Sequence, residues 1–93
     1  MAESTGAGYT LIFADTALDD LLFHKKVGNM ATIKRIDRIL QELETNPFVG
    51  IGKPHELLYD YAGKWSRHLN KKDVIVYEVD ESVKIVKIYY LDK

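Results

Sequence analysis

The chain has 93 residues, 46% of them hydrophobic and 29% charged, with no cysteine and a net charge of −1; this is one soluble domain's worth of sequence, too short for two independent cores. The lack of cysteine excludes disulfide, zinc–thiolate and thiol-nucleophile chemistry. No apolar run approaches the roughly 20 residues of a membrane span, and the first residues lack the basic start and apolar stretch of a secretory signal, so a cytoplasmic protein without membrane attachment is expected.

Residues 1–8 (MAESTGAG) are small and polar and read as a flexible leader, leaving 9–93 as a single domain. Tyr9 to Phe13, rich in β-branched and aromatic residues, is long enough for one strand and too short for a helix. Thr16 with Asp19 matches a capping box, so a helix should start there, bury Ala17, Leu18, Leu21 and Leu22 on one stripe, and stop near Gly28. Asn29 can cap a second helix in which Met30, Ile33, Ile36, Leu40 and Leu43 recur at spacings of three and four, with Pro47 ending it. Lys34, Arg35 and Arg38 fall off that stripe and face solvent.

From Phe48 to Ala62 the closely spaced Gly50, Gly52 and Pro54 predict an irregular loop. Three strand-like runs follow, Lys64 to Leu69, Val74 to Val79 and Ser82 to Tyr90, joined by links short enough that only antiparallel hairpins can close them. The implied architecture is α+β, strand-helix-helix-strand-strand-strand, with both helices on one face of an antiparallel sheet of about four strands. The last run is not a clean alternator, because Lys84 and Lys87 have opposite parity; a bulge or partial cover of both faces would account for it.

Charge is segregated along the chain. Residues 1–23 carry four acids and no base, 24–40 five bases and one acid, and 50–72 five bases and two acids. The two basic segments could meet on one face and hold a polyanion, although a mixed solvated surface gives the same arithmetic. His24, His55 and His68 are far apart in sequence with no carboxylates at ligand spacing, so no metal is expected. The Gly50-Ile51-Gly52-Lys53 loop lacks the strand-before, helix-after context of a nucleotide cradle. No cofactor is expected either. His24 reads as a surface histidine and Trp65 as a packing residue.

The segment Pro47-Phe48-Val49-Gly50-Ile51-Gly52-Lys53-Pro54-His55-Glu56-Leu57, then Gly63-Lys64-Trp65-Ser66-Arg67-His68 and Val76-Tyr77-Glu78-Val79, resembles the YoeB branch of the RelE-like toxins of type II toxin–antitoxin systems. The resemblance runs from about Tyr9 to the C-terminus. It implies a RelE-like fold, ribosome-dependent cleavage of messenger RNA without a metal, neutralisation by a cognate antitoxin, and possible homodimers. In that family a ribose 2′-hydroxyl attacks the adjacent phosphorus, which calls for a base, a cation for the phosphorane and an acid for the departing oxygen.

By resemblance, His55 stands where the family has its glutamate, with Glu56 beside it. Arg67 matches the first arginine of W-S-R-R and His68 replaces the second. Val74 occupies the position of a catalytic arginine, and the family's C-terminal histidine–tyrosine pair corresponds to Tyr89-Tyr90 if a two-residue deletion is allowed and falls near Leu91-Asp92 without it; in the first alignment Tyr90 keeps the tyrosine and the histidine is lost. The implied catalytic set is His55, Glu56, Arg67, His68 and Tyr90, with Lys34, Arg35, Arg38, Lys53 and Lys64 as RNA or ribosome contacts. The alternative is a toxin fold with impaired catalysis that serves as an antitoxin-binding module.

Overall fold

The computed structural model describes residues 8–58 and 63–92; residues 1–7 of the expected leader and 59–62 of the expected loop lie outside the described residues. The elements run β1 (Thr10–Phe13), α1 (Asp15–Val27), α2 (Met30–Thr45), β2 (His55–Glu56), β3 (Lys64–His68), β4 (Val74–Asp80) and β5 (Ile85–Asp92). The strands form one sheet in the order β1-β5-β4-β3-β2. The expected α+β class, the two helices and the β3-β4-β5 meander are all present.

Two features go beyond the expected antiparallel sheet. First, β1 joins β5 in parallel, from Thr10 opposite Ile85 to Phe13 opposite Ile88, which the long connection through both helices and three strands permits. Second, His55 and Glu56 form a two-residue edge strand on β3. It lies inside the segment that the glycines and Pro54 mark as irregular, and two residues are too few for a sequence period to show.

The core lies between the helices and one face of the sheet. Ile36, Ile39 and Leu43 of α2 and Ala17 of α1 pack with Leu69, Ile75, Tyr77, Val86, Ile88 and Leu91. Along β4, Ile75 and Tyr77 therefore point toward the helices, while Val74, Val76 and Glu78 point to the other face. Asn29 caps α2 as expected, accepting from the Thr32 N–H at 3.1 Å. The buried stripe of α2 is Thr32, Ile36, Ile39 and Leu43, rotated from the expected one: Met30 is exposed, and Thr32 turns inward to accept from the Asn70 amide at 3.2 Å.

In α1 only Ala17 and Leu21 of the expected apolar stripe pack on the core. The helix begins at Asp15 after Ala14, with no side-chain cap, because the Thr16 hydroxyl instead donates to the Tyr89 carbonyl at 2.6 Å. One turn on, Asp20 accepts from the Leu91 N–H at 3.0 Å, and another turn on the His24 Nε2–H donates to the Leu91 carbonyl at 2.8 Å. Since β1 stops at Phe13, opposite Ile88, the last residues of β5 are paired with β4 on one side and have no strand on the other. Thr16, Asp20 and His24, spaced by four on one helix face, take over that backbone. Leu18 and Leu22 consequently remain exposed, and His24 is buried rather than superficial.

The β4–β5 turn resolves the parity problem of the last strand. Asp80 accepts from both the backbone and the hydroxyl of Ser82, and Lys84 adopts a left-handed φ of 56°, so Lys84 belongs to the turn and the strand starts at Ile85. The bulge lies further on. Val76 faces Tyr90 while Tyr77 faces Ile88, which leaves Tyr89 as the extra residue.

Candidate active site

The face of the sheet away from the helices is organised in transverse rows. His55, Ser66, Val76 and Tyr90 are successive cross-strand partners, and partners in an antiparallel ladder point to the same face. His68, Val74 and Asp92 form the next row. Ser66 and Val76 are nearly inaccessible although they lie outside the helix-side core, so they floor a concave surface.

At one end of this surface the rings of His55 and His68 lie 6.4 Å apart, centroid to centroid. The loop before β2 positions His55. The Gly52 carbonyl accepts from the His68 N–H at 2.7 Å, and a Cβ at Gly52 would stand 2.8 Å from the His68 carbonyl oxygen, with the glycine at φ 84°; only glycine lets the loop lie so closely on β3. Lys53 follows at φ 53°, a left-handed conformation that costs a non-glycine residue about 1–2 kcal/mol. Its carbonyl is 3.1 Å from His55 Nδ1. A carbonyl only accepts, so Nδ1 carries the proton in that contact, and in the neutral imidazole Nε2 is then the acceptor nitrogen.

Beside the histidines is a hollow of about 400 Å³ lined by Arg35, Gly52, Lys53, His68, Leu69, Asn70 and Lys71. Three of these are cations and none is an acid. Arg35 is held over the end of β3 by donating Nε–H to the His68 carbonyl at 3.1 Å. Lys71 belongs to the basic segment but sits in a hairpin turn, where no motif singles it out; the Asn70 side chain shapes that turn by accepting from the Lys72 and Asp73 N–H groups.

Arg67 does not belong to this surface. It alternates with Ser66 and His68 and points toward the helices, where it is fully buried. Its Nε donates to the Tyr77 hydroxyl at 3.0 Å, Nη1 to Glu42 Oε1 and the Ile51 carbonyl, and Nη2 to the Pro47 and Val49 carbonyls. A guanidinium has five N–H donors, and these contacts occupy them all. The expected catalytic role of Arg67 is therefore corrected to a structural one, fastening the 47–51 loop to α2 and the sheet.

Glu42 completes that fastening. Burial pushes its carboxyl up, but the Ile51 N–H and the Arg67 and Arg38 side chains outweigh this and hold it below the usual carboxylate value. Tyr77 is pushed up by burial, opposed by the Arg67 contact. Arg38 pairs with Glu42 at 3.2 Å and borders a separate hollow with Gln41, Thr45 and Gly50, so it does not line the His68 hollow.

The remaining candidates separate by face. Glu56 is opposite Trp65, on the face away from His55, so the base expected at His55 or Glu56 can reach the histidine hollow only from His55. Trp65 packs on the core, with Phe48 edge-on at 5.2 Å. Lys34 is exposed on α2. Lys64 lies on the concave face one row from His55, with its ammonium 5.1 Å from the Tyr89 ring. Tyr90 shares the His55 row three strands away, about 14 Å at ordinary strand spacing. Val74 stands beside His68. Among the described residues, no group of three or more His, Asp or Glu could hold a metal ion, and no helix is long and apolar enough to cross a membrane.

Comparison with known proteins agrees with this architecture. The family described as YoeB-like toxin of bacterial type II toxin–antitoxin system matches residues 13–91. Toxin YoeB of Mycobacterium bovis is 35% identical over 79 residues, 84% of this chain and 92% of that protein. A YoeB/ParE toxin from Agrobacterium tumefaciens superposes with a TM-score of 0.81 at 26% identity, covering 89% of this chain and 95% of that one. YoeB of Staphylococcus aureus, solved both in complex with YefM and as a dimer, gives a TM-score of 0.78 in each case at 28% and 27% identity, covering 91% of this chain and 95% of the other. With the fold, the loop–strand signature and these relatives in agreement, the chain belongs to the YoeB family of type II toxin–antitoxin toxins.

Proposed function

We propose that residues 9–93 act as a single, cytoplasmic toxin domain that cleaves messenger RNA on the ribosome and is silenced by a cognate antitoxin. The observation that carries this reading is the His55–His68 pair, 6.4 Å apart, at the rim of a hollow lined by Arg35, Lys53 and Lys71. His55 Nε2 takes the proton of a ribose 2′-hydroxyl, which attacks the adjacent phosphorus. The Arg35, Lys53 and Lys71 cations stabilise the extra negative charge of the phosphorane, and His68 as imidazolium protonates the departing 5′-oxygen. The products are a 2′,3′-cyclic phosphate and a 5′-hydroxyl. Two imidazoles and three cations supply every group the step requires, so no cofactor is invoked.

Lys64 continues the basic surface across the concave face, and Lys34 extends it along α2 toward the ribosome. Partnering by an antitoxin, and self-association, are supported by the S. aureus YoeB structures with YefM and as a dimer. Induced expression in a bacterium tests the reading. It should arrest growth and a co-expressed antitoxin should relieve the arrest; unimpeded growth at high expression would contradict it.

A further inference from the structure

Ser66 carries a buried hydroxyl with nothing to bond. The residue is 5% exposed, and its Oγ makes no hydrogen bond with any of the described residues. The other buried polar side chains among the described residues are all engaged: His24 with the Leu91 carbonyl, Thr32 and Asp73 with the Asn70 amide, and Arg67 with Glu42 and its loop carbonyls. Buried polar groups in folded chains are nearly always paired, so an exception calls for a partner that arrives from outside.

The place of this hydroxyl says what that partner is. Ser66 is directly opposite His55 across the β2–β3 pair, where Cβ atoms stand about 4.5–5.5 Å apart, and His68 follows two residues on, about 6.6 Å along the same strand. All three side chains share the concave face. The hydroxyl thus lies on the floor between the roots of two imidazoles whose rings are 6.4 Å apart, and a group held between the rings sits above it. Val76, its neighbour on β4, offers nothing to bond. Both adjoining residues pin Ser66 in place, Trp65 by packing edge-on with Phe48 and Arg67 through its contacts to Glu42, Tyr77 and the loop.

We infer that Ser66 is a further catalytic residue, its hydroxyl donating to a non-bridging oxygen of the phosphate seated between His55 and His68. A phosphate oxygen only accepts, and serine has one O–H to give. As the 2′-oxygen adds to phosphorus, that non-bridging oxygen gains negative charge and the bond strengthens. A donor already fixed in position accelerates the step for this reason without tightening the bound ground state. Ser66 keeps its proton throughout; the 2′-hydroxyl proton goes to His55 and the departing 5′-oxygen takes one from His68.

This inference rests on the proposed RNA-cleaving role, and the experiment separates the two. The purified full chain cuts message on ribosomes in single turnover, with the scissile link either all-oxygen or one of its two phosphorothioate diastereomers, in which sulfur replaces one non-bridging oxygen. The wild-type chain should cut one diastereomer more slowly than the other. Ser66→Ala should cut the all-oxygen message about 10²-fold more slowly at an unchanged half-saturating concentration, and should treat the two diastereomers alike. Ser66→Thr, which keeps a hydroxyl, should restore the preference. Because the free protein gives this hydroxyl no partner, Ser66→Ala should unfold at or above the wild-type urea midpoint; a lower midpoint would overturn the inference. So would Ser66→Ala cutting at the wild-type rate, or slowly with the preference intact, and either result leaves the histidine site standing. Intact message with the wild-type chain would overturn both. Wild-type rates in His55→Ala and His68→Ala, with the preference lost in Ser66→Ala, would uphold the donor and overturn the histidine chemistry.

Discussion

Arg67 on β3 and Glu42 on α2 meet at 2.7 Å, Nη1 to Oε1, with the arginine side chain wholly out of solvent. The pair ties the sheet to the longer helix, and the remaining guanidinium donors hold the Pro47, Val49 and Ile51 carbonyls. It thus fixes the loop that delivers Lys53 and His55 to the concave face. Gly50 belongs to the same arrangement, because a Cβ there would collide with the Glu42 carboxylate.

Removing Arg67 should be costly to stability. Arg67→Ala strips the Val49 and Ile51 carbonyls of the guanidinium that donates to them, while Glu42 keeps the Ile51 N–H and Arg38 and the Pro47 carbonyl keeps the Tyr77 hydroxyl, so the cost should be about 3 kcal/mol, the low end for a broken buried pair. Arg67→Lys should recover only part of this, since an ammonium cannot serve five divergent acceptors. Urea unfolding followed by circular dichroism measures both. A stable Arg67→Ala chain would show that the loop is held by other means.

The same pair gives the stability an acid limb. Glu42 titrates below its usual value of 4.5 in the folded chain, so the unfolded chain binds this proton more readily and the stabilisation is intact above that pH. It is lost as pH falls through the depressed folded value. Glu42→Gln should lower stability at neutral pH and flatten the part of the stability profile below about pH 4.5 that this carboxyl contributes. Denaturant titrations between pH 3 and 7 read the slope; equal slopes for the two proteins would contradict the assignment.

The polar face of α1 should behave as a substitute strand. Asp20→Ala frees the Leu91 N–H and His24→Ala the Leu91 carbonyl, and a buried backbone group left without its partner costs about 1–3 kcal/mol. Amide exchange should accelerate at Leu91 in Asp20→Ala, with little change on β3. Unchanged protection at Leu91 would mean that the helix does not hold the strand end.

Val74 occupies the position at which the resembling toxins carry an arginine, and it lies beside His68 with Asp92 on its other side. Val74→Arg places a guanidinium beside His68 on the concave face, where the proposed chemistry puts the phosphate. A preorganised charge-stabilising group is typically worth on the order of 10²–10³ in rate, so message cleavage in a translation reaction should rise toward that range. A revertant no faster than the parent would show that Arg35, Lys53 and Lys71 already supply the charge.

Much of this architecture can be read along the chain because the relevant signals are local. The Asn29 cap, the three-and-four spacing in α2 and the short links between β3, β4 and β5 each act within a few residues. The parallel pairing of β1 with β5 and the polar face of α1 are long-range consequences of where β1 ends, and Thr16, Asp20 and His24 look like ordinary surface residues until β5 is beside them. At the site, the alternation of β3 decides between neighbours: the motif names Arg67 and His68 together, but opposite faces give one to the core and the other to the hollow. Lys71 and the Tyr89 bulge depend on a turn and a register shift, neither of which has a sequence period.

The central claim is that His55 and His68 together cut RNA at the cationic hollow, and the most direct measurement is the end chemistry of messenger RNA after incubation with purified protein in a translation reaction. The wild-type chain and Glu56→Gln should both yield fragments ending in a 2′,3′-cyclic phosphate. His55→Ala and His68→Ala should each lower the rate by about 10²–10⁴ while unfolding at the wild-type urea midpoint. Cleavage at the wild-type rate by the double variant, or intact message with the wild-type chain, would contradict the account.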